Sequence, residues 1–336
     1  MDRSLLNAFL IVLNSFFLLL QLISMGALGG YIEIPLLSLA VPLLCIVNIF
    51  FFIFWMLRFQ WPVFLFLISF MISFQEWQLL YQLENNGIPT SDGLSVLSYN
   101  VRSFNRFKWL KDSDVPSAIE DFIIETDPDI ICFQEYAPAQ APPLSSYSYK
   151  VFKPYVKGGK IGSCIVSKYP LIRPESISFE GSFNGGMQAD LLWKQDTLRL
   201  YNLHFESFRL NKKDTLITSD NSNQIRLRLQ SIFEIQETQV EYFNTLTNKN
   251  SSYPEIICTD LNNTAFSKPY QKIKKQSRID AFLEQGEGFG STYQFSFLPM
   301  RIDFIFNTPN LRVIDFETHD IKLSDHKPIS VILEKI

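Results

Sequence analysis

Residues 323–328, near the C-terminus, read LSDHKP, and they follow an apolar segment at residues 301–306 that reads RIDFIF. Asp303 opens the apolar segment, and Asp325 and His326 lie side by side in the later one. Such a set of residues holds an imidazole in one orientation for proton transfer or phosphate contact. An Asp-His pair on a surface turn is a common feature by itself. Its meaning depends on the polar residues that precede it in the chain.

The first quarter of the chain is far more apolar than the remainder. Between residues 5 and 81 the only basic residue is Arg58, and Leu, Ile, Phe and Val predominate. A helix needs about 20 apolar residues to cross a bilayer core. Three runs approach that length, at residues 5–28, 36–57 and 59–80. We expect a transmembrane region of about three helices in residues 1–84 and a polar linker in residues 85–93. Two spans with an interfacial third helix remain the alternative.

The placement of Lys and Arg orients such a region, because cytoplasmic loops carry an excess of positive charge. Arg3 precedes the first run and Arg58 separates the second from the third, whereas the loop between the first two runs has only Glu33 as a charged residue. With three spans, the protein is a multi-pass protein of the cell (inner) membrane whose C-terminal part is extracytoplasmic. With two spans, the C-terminal part would instead lie on the cytoplasmic side of the membrane.

Charge and cysteine content exclude some classes of protein. The chain has 30 Lys and Arg against 34 Asp and Glu and shows no strong basic stripe, which argues against a dedicated duplex-binding protein. The four cysteines lie in apolar runs and lack the spacing of metal ligands. We interpret them as small buried hydrophobic residues.

Residues 94–336 alternate short apolar runs with longer amphipathic segments. Residues 94–99 and 130–134 are typical of strands, and residues 115–125 and 223–246 are typical of helices. Many strands with few helices between them predict an α+β fold in which two packed sheets are covered by helices. The expected architecture is therefore a four-layer sandwich.

Polar side chains recur at the ends of the predicted strands, where loops can bring them together. The set is Asn100, Glu135, His204, Asp260, Asn262, Asp325 and His326. Alone, Asn100 is more often an Asx-turn residue, and His204 is as often a satisfied core histidine. Seven such coincidences together are improbable, so we treat the set as one candidate site.

These residue types fit metal-assisted hydrolysis of a phosphate ester. Glu135, Asp325 and Asn100 offer the hard oxygen ligands that Mg²⁺ prefers, leaving other positions to water and substrate phosphate. His204 and His326 would contact non-bridging phosphate oxygens, where charge builds in the transition state.

The remaining two residues of the set, Asp260 and Asn262, would act in proton transfer together with Asp303. Asp260 would accept a proton from the attacking water, with Asn262 holding that carboxylate or the water. Asp303 would bond the far nitrogen of His326 and fix its tautomer. Whether Asp260 or His326 takes the proton stays open.

The order of the motifs resembles the endonuclease/exonuclease/phosphatase superfamily, which includes DNase I-like nucleases, abasic-site nucleases, neutral sphingomyelinases and inositol-polyphosphate phosphatases. The matching segments are residues 97–101 (LSYNV), 133–135 (FQE), 165–170 (IVSKYP), 202–204 (NLH), 259–262 (TDLN), 301–303 (RID) and 324–326 (SDH). The resemblance covers about residues 94–336. It implies a DNase I-like four-layer α/β/β/α sandwich, Mg²⁺ or Mn²⁺ dependence and the residue roles given above. Thr259 stands where the family usually has Gly, and the apolar N-terminal region is outside the family's common core.

The sequence thus predicts a membrane-anchored, divalent-metal-dependent phosphoesterase that hydrolyses a phosphodiester or phosphomonoester by in-line attack of activated water. We expect it to contact a lipid bilayer and a phosphate-ester substrate, either a lipid headgroup, a nucleotide or a nucleic acid, without an obligate protein partner. The alternative is a membrane protein whose domain keeps the fold as a non-catalytic binding or scaffolding module. The filled motif positions argue against that alternative.

Overall fold

An apolar helical region and a two-sheet domain make up the structure. The computed structural model describes residues 3–29, 35–83, 93–111, 114–208, 222–250, 253–295 and 298–336. The predicted linker at residues 85–93 lies outside these ranges except for Gly93.

Two N-terminal helices, α1 (Arg3–Met25) and α2 (Pro35–Leu57), are long and apolar enough to cross a membrane. The third predicted run is shorter than expected, because α3 (Val63–Ile72) ends at Ser73 and the short α4 (Phe74–Gln78) follows. At this break the Ser73 hydroxyl donates to the Ser69 carbonyl oxygen at 2.8 Å. The prediction of about three apolar helices is confirmed with that correction.

The helical region carries polar groups inside and apolar groups outside. Asn48 Nδ2 donates to Gln21 Oε1 at 2.6 Å, and Trp55 Nε1 donates to Asn14 Oδ1 at 3.1 Å, so both bonds join α1 to α2. Large apolar side chains point outward, among them Val12, Phe50 and Leu57. Interhelical hydrogen bonds therefore satisfy polar side chains in the interior of this helical region.

The first sheet has six strands. They are β1 (Leu94–Asn100), β2 (Ile130–Tyr136), β3 (Tyr149–Pro154), β4 (Gly162–Ser167), β13 (Leu311–Thr318) and β14 (Ile329–Lys335). Their order is β13-β14-β1-β2-β4-β3, and β1 and β2 run parallel. Helix α5 (Val115–Thr126) contributes Ile119 and Phe122 to the apolar cluster on the outer face of this sheet.

The second sheet also has six strands. They are β5 (Leu171–Ser178), β6 (Gly185–Trp193), β7 (Asp196–His204), β8 (Glu255–Asp260), β9 (Ile279–Asp280) and β12 (Asp303–Asn307). Their order is β5-β6-β7-β8-β12-β9, and β7 and β8 run parallel. A hairpin of β10 (Tyr293–Phe295) and β11 (Leu298–Met300) lies outside both sheets.

Helices cover the outer face of the second sheet. Val240 and Phe243 of α6 (Ser222–Asn250) and Tyr270 of α7 (Lys268–Lys274) pack in its apolar cluster, and the short α8 (Ala281–Gln285) lies beside β12. Another cluster, which includes Cys132 and Cys258, fills the space between the sheets. The predicted α+β four-layer sandwich is therefore confirmed, and all four cysteines are free and buried as predicted.

Buried amides join the two sheets beneath one end of the sandwich. Asn202 of β7 donates through Nδ2 to the carbonyl oxygens of Phe133 in β2, at 2.9 Å, and Cys164 in β4, at 3.0 Å. Gln134 of β2 donates in return to Asn202 Oδ1 at 2.9 Å and to Ser98 Oγ at 3.1 Å. Buried polar groups are costly unless paired, so this network fixes how the sheets align.

Candidate active site

The structure brings all eight predicted site residues together at one end of the sandwich. Asn100 and Glu135 come from the carboxyl ends of β1 and β2, and His204 and Asp260 from those of β7 and β8. Asn262 follows β8, Asp303 opens β12 opposite Asp260, and Asp325 and His326 precede β14. Parallel strands end at the same edge of a sheet, which is why residues so distant in sequence converge here.

Asp260 is the buried centre of the site. Its Oδ2 accepts from Asn100 Nδ2 at 2.8 Å and lies 3.4 Å from His204 Nε2 and 3.7 Å from His326 Nε2. Its Oδ1 accepts from the Asn262 N–H at 2.9 Å. Burial raises the pKa of the Asp260 carboxyl group to about 6.

His326 lies between two buried carboxylates. Its Nδ1 is 2.9 Å from Asp303 Oδ2, while its Nε2 faces Asp260. Burial alone would lower the pKa of His326, but the charges of Asp303 and Asp260 outweigh it and raise the pKa well above the usual imidazole value. Asp303 is itself positioned by its N–H, which donates to Thr292 Oγ1 at 3.1 Å.

His326 and its two carboxylate neighbours also have the composition of a metal site, since ligand-type atoms of Asp260, Asp303 and His326 lie within 4.8 Å of one another. The imidazole already pairs with both carboxylates. We therefore interpret this cluster as an Asp-His-Asp charge relay, a name used below for these three residues.

Glu135 and Asp325 form a second acidic pair, which is partly open to solvent. Their side chains are 33% and 27% exposed. Glu135 Oε1 accepts from Asn100 Nδ2 at 3.3 Å, and Asp325 Oδ2 lies 3.0 Å from Arg102 Nη1. Desolvation first, and then the charge of Asp325, raise the pKa of Glu135, although His326, Asn100 and Arg102 oppose the rise. We call Glu135 and Asp325 the rim carboxylates.

The rim carboxylates fit a hard divalent cation. They supply two carboxylate groups, they repel one another, and they remain accessible to water and substrate, as Mg²⁺ sites in proteins require. Asn100 directs its nitrogen toward the carboxylates, whereas its Oδ1 accepts from the Arg102 N–H at 3.0 Å. The predicted role of Asn100 as an oxygen ligand thus stays a prediction.

Unusual backbone conformations orient two of the site residues, Glu135 and Asn262. The pairing of β2 with β4 shifts register between Phe133 and Tyr136, and within this bulge Glu135 has a φ of 51°. Its N–H donates to the Tyr155 hydroxyl at 2.9 Å. Asn262 also has a positive φ, 52°, and its Nδ2 donates to the Phe205 carbonyl oxygen at 3.0 Å. Non-glycine residues in this region are uncommon and concentrate at functional sites.

Several residues of the site were not predicted from the sequence. The Tyr155 ring lies 5.4 Å from that of His204, and the Tyr293 ring lies 5.0 Å from that of His326. Arg102 bonds Asp325 and stacks over Trp109 at 4.9 Å. The position of Arg102, two residues after Asn100, could have suggested its role. The tyrosines lie outside every motif and gave no such signal.

Comparisons with known proteins agree with this architecture. Residues 97–326 match the model of the Endonuclease/Exonuclease/phosphatase family. A sequence comparison with curated proteins gives no match.

Solved structures with the same fold come from bacteria and animals. The endonuclease/exonuclease/phosphatase from Bacteroides vulgatus is 17% identical, with a TM-score of 0.57, and the match covers 73% of this chain and 100% of that chain. A humanized D. rerio TDP2 is 17% identical, with a TM-score of 0.55 and the same two coverages. The human Nocturnin catalytic domain with bound sulfate is 17% identical, with a TM-score of 0.54, covering 73% of this chain and 94% of that chain. At this identity the likeness shows the fold.

The charge relay makes a testable prediction about protonation. In the metal-free full-length protein, Asp303→Asn removes the negative charge bonded to His326 Nδ1, so the pKa of His326 should fall toward or below its ordinary value. Imidazole NMR titration measures this. Asp320→Asn, at an exposed surface position, is the matched control. An unchanged titration of His326 in Asp303→Asn would show that the relay does not hold the charge.

Proposed function

The chain belongs to the endonuclease/exonuclease/phosphatase family, and on that premise we propose that it is a membrane-anchored, divalent-metal-dependent phosphoesterase. The observation that carries this proposal is the meeting of two partly exposed rim carboxylates with a buried charge relay at one end of the sandwich. We further propose that residues 1–84 form the anchor, residues 85–93 a linker and residues 94–336 the catalytic domain.

Glu135 and Asp325 would hold Mg²⁺ or Mn²⁺ at the rim. The bound cation would neutralise negative charge on the substrate phosphate and on the transition state. His204 Nε2 and His326 Nε2, which both face Asp260, would contact non-bridging oxygens of the same phosphate. A phosphate placed there would lie between the rim and the relay.

Asp260 is the better candidate for accepting the proton of the attacking water. His326 is held protonated by its two carboxylate neighbours, so its imidazolium can donate to phosphate but has no free site for a further proton. A pKa of about 6 makes the Asp260 carboxylate a stronger base than an ordinary aspartate. Asn262 and Asn100, which both bond Asp260, would hold it in place.

The contacts of the helical region favour three membrane crossings. The start of α2 touches the two-sheet domain, where Thr264 Oγ1 donates to the Ser38 carbonyl oxygen at 3.3 Å. Gln82, after α4, pairs with Gly288 of the domain through two backbone hydrogen bonds of 2.9 Å. The domain therefore lies at the start of α2, and the chain must return from the far end of α2 through α3 and α4. Arg3 and Arg58 lie at that far end, and their positive charge supports our proposal that the domain is on the extracytoplasmic side of a multi-pass cell-membrane protein.

Three crossings place the two ends of the chain on opposite sides of the membrane. In right-side-out vesicles, a tag after Ile336 should react with a membrane-impermeant label, whereas a tag before Met1 should react only after permeabilisation. Equal reactivity of both tags without permeabilisation would indicate an even number of crossings and overturn this topology.

The proposed activity can be measured with a generic diester. The full chain in detergent micelles with Mg²⁺ should hydrolyse bis(4-nitrophenyl) phosphate, and EDTA should abolish the reaction. His326→Ala and Glu135→Gln should each lower kcat/KM by at least about 100-fold, the usual scale of a lost proton-transfer or charge-stabilising group. Asn310→Ala, at an exposed turn, is the matched control.

Metal binding separates the roles of the two variants. Mn²⁺ titration followed by electron paramagnetic resonance should show weaker binding in Glu135→Gln and near-normal binding in His326→Ala. A wild-type protein that neither hydrolyses the diester nor binds Mn²⁺ would favour the non-catalytic scaffolding module instead.

A further inference from the structure

The two-sheet domain is seated directly on the end of the helical region. Met25, at the end of α1, and Val41 and Cys45, in the first half of α2, are buried in one apolar cluster with Phe205 and Phe266 of the domain. Phe205 follows the site residue His204, and Phe266 lies six residues after Asp260. The helices therefore contact the loops that carry the site.

The strongly exposed apolar surface within α1 and α2 lies away from the domain. Along α2 the exposed large apolar side chains extend over residues 43–57, and along α1 over residues 5–19, with Leu28 also exposed in the turn after α1. At 1.5 Å per residue each helical stretch spans about 21 Å, whereas a bilayer core is about 30 Å thick. Arg3 and Arg58 lie at the far end of these stretches, so the remaining thickness extends toward Leu28 and the domain. Because the domain occupies the start of α2, the bilayer would reach the surface of the domain at this end.

The domain presents apolar side chains where the bilayer would reach it. Leu83 is 79% exposed, Phe289 is 50% exposed and Tyr81 is 45% exposed, and the rings of Tyr81 and Phe289 lie 5.0 Å apart. We call these three residues the seating face. Aromatic and aliphatic side chains of this kind are common at the headgroup level of membrane proteins.

The seating face is connected to the site by short contacts. Gly288, next to Phe289, pairs with Gln82, and the hairpin that follows places Tyr293 against His326. A second contact involves Arg301, which lies two residues before Asp303 of the charge relay. Its Nη2 donates to the Leu79 carbonyl oxygen at 3.4 Å. The site is therefore at the membrane end of the domain.

We propose that the seating face lies in the headgroup layer and holds the mouth of the site at the membrane surface, so that the substrate is a phosphate ester carried by an amphiphile of the same membrane. This inference rests on the proposed phosphoesterase function and narrows its substrate class. The net charge of −4 and the short distance to the bilayer disfavour a nucleic acid approaching from solution.

A matched pair of diesters tests the substrate class. Hexadecyl 4-nitrophenyl phosphate and ethyl 4-nitrophenyl phosphate share the same scissile bond, between phosphorus and the nitrophenyl oxygen. In the proposed reaction the water oxygen bonds to phosphorus, nitrophenolate leaves and the water proton passes to Asp260. The full chain in phosphatidylcholine vesicles should favour the hexadecyl ester in kcat/KM by at least about 100-fold. A single-stranded oligonucleotide serves as the third substrate.

Variants test whether the preference for the hexadecyl ester comes from the seating face or only from partitioning of that ester into the vesicles. The double variant Leu83→Asp/Phe289→Asp should lower the hexadecyl-to-ethyl rate ratio at least tenfold. Leu192→Asp, an exposed leucine beside the β6–β7 turn at the other end of the sheet, should keep the wild-type ratio. An unchanged ratio in the double variant would overturn the inference.

A second measurement does not depend on activity. Because all four native cysteines are buried, a thiol-reactive bimane can label Leu83→Cys or Leu192→Cys selectively. Lipids with a nitroxide at the headgroup should quench the label at position 83 and leave the label at position 192 bright. Equal fluorescence at both positions would overturn the inference even if the double variant is unstable.

The outcomes distinguish this inference from the proposed function. If wild type hydrolyses none of the three diesters and binds no Mn²⁺, the phosphoesterase proposal fails. If it hydrolyses the ethyl ester or the oligonucleotide at least as well as the hexadecyl ester, the phosphoesterase proposal stands and the membrane substrate is rejected.

Discussion

The alignment of the two sheets through the Asn202 side chain is the constraint on which the rest of the structure depends. Each sheet supplies only part of the site, since Asn100 and Glu135 end strands of one sheet and His204 and Asp260 end strands of the other. Asn202 bonds two backbone carbonyls across the interface, directly below these ends. An apolar interface alone would tolerate sliding, whereas paired buried amides specify one alignment.

That alignment concentrates acidic side chains, and their charges are handled in two ways. In the interior, Asp260 and Asp303 share His326, so that a buried imidazolium offsets buried carboxylates. At the rim, Glu135 and Asp325 stay partly exposed and have Arg102 and Asn100 as neighbours. We propose that these two environments divide the chemistry, with the rim carboxylates binding a divalent cation and the charge relay contacting phosphate and transferring the proton.

Much of this could be predicted from the sequence because strand ends and motifs are local signals. The predicted strand at residues 130–134 is part of Ile130–Tyr136, and the predicted helix at residues 115–125 is part of Val115–Thr126. The contacts of Tyr155 and Tyr293 depend on long-range packing, which composition and periodicity do not encode. The early end of α3 depends on a break at Ser73 inside an apolar run. The contact between the domain and α2 could not be predicted for a similar reason, since an apolar helix has the same composition whether lipid or protein covers it.

The position of a bound ion tests the division of labour most directly. Crystals of the full chain soaked in MnCl₂ should give an anomalous difference peak in contact with the carboxylates of Glu135 and Asp325, with His326 still paired to Asp303. A peak enclosed by Asp260, Asp303 and His326 instead would contradict this assignment of roles, because the three residues would then be the metal site and could not serve as the proton-handling group.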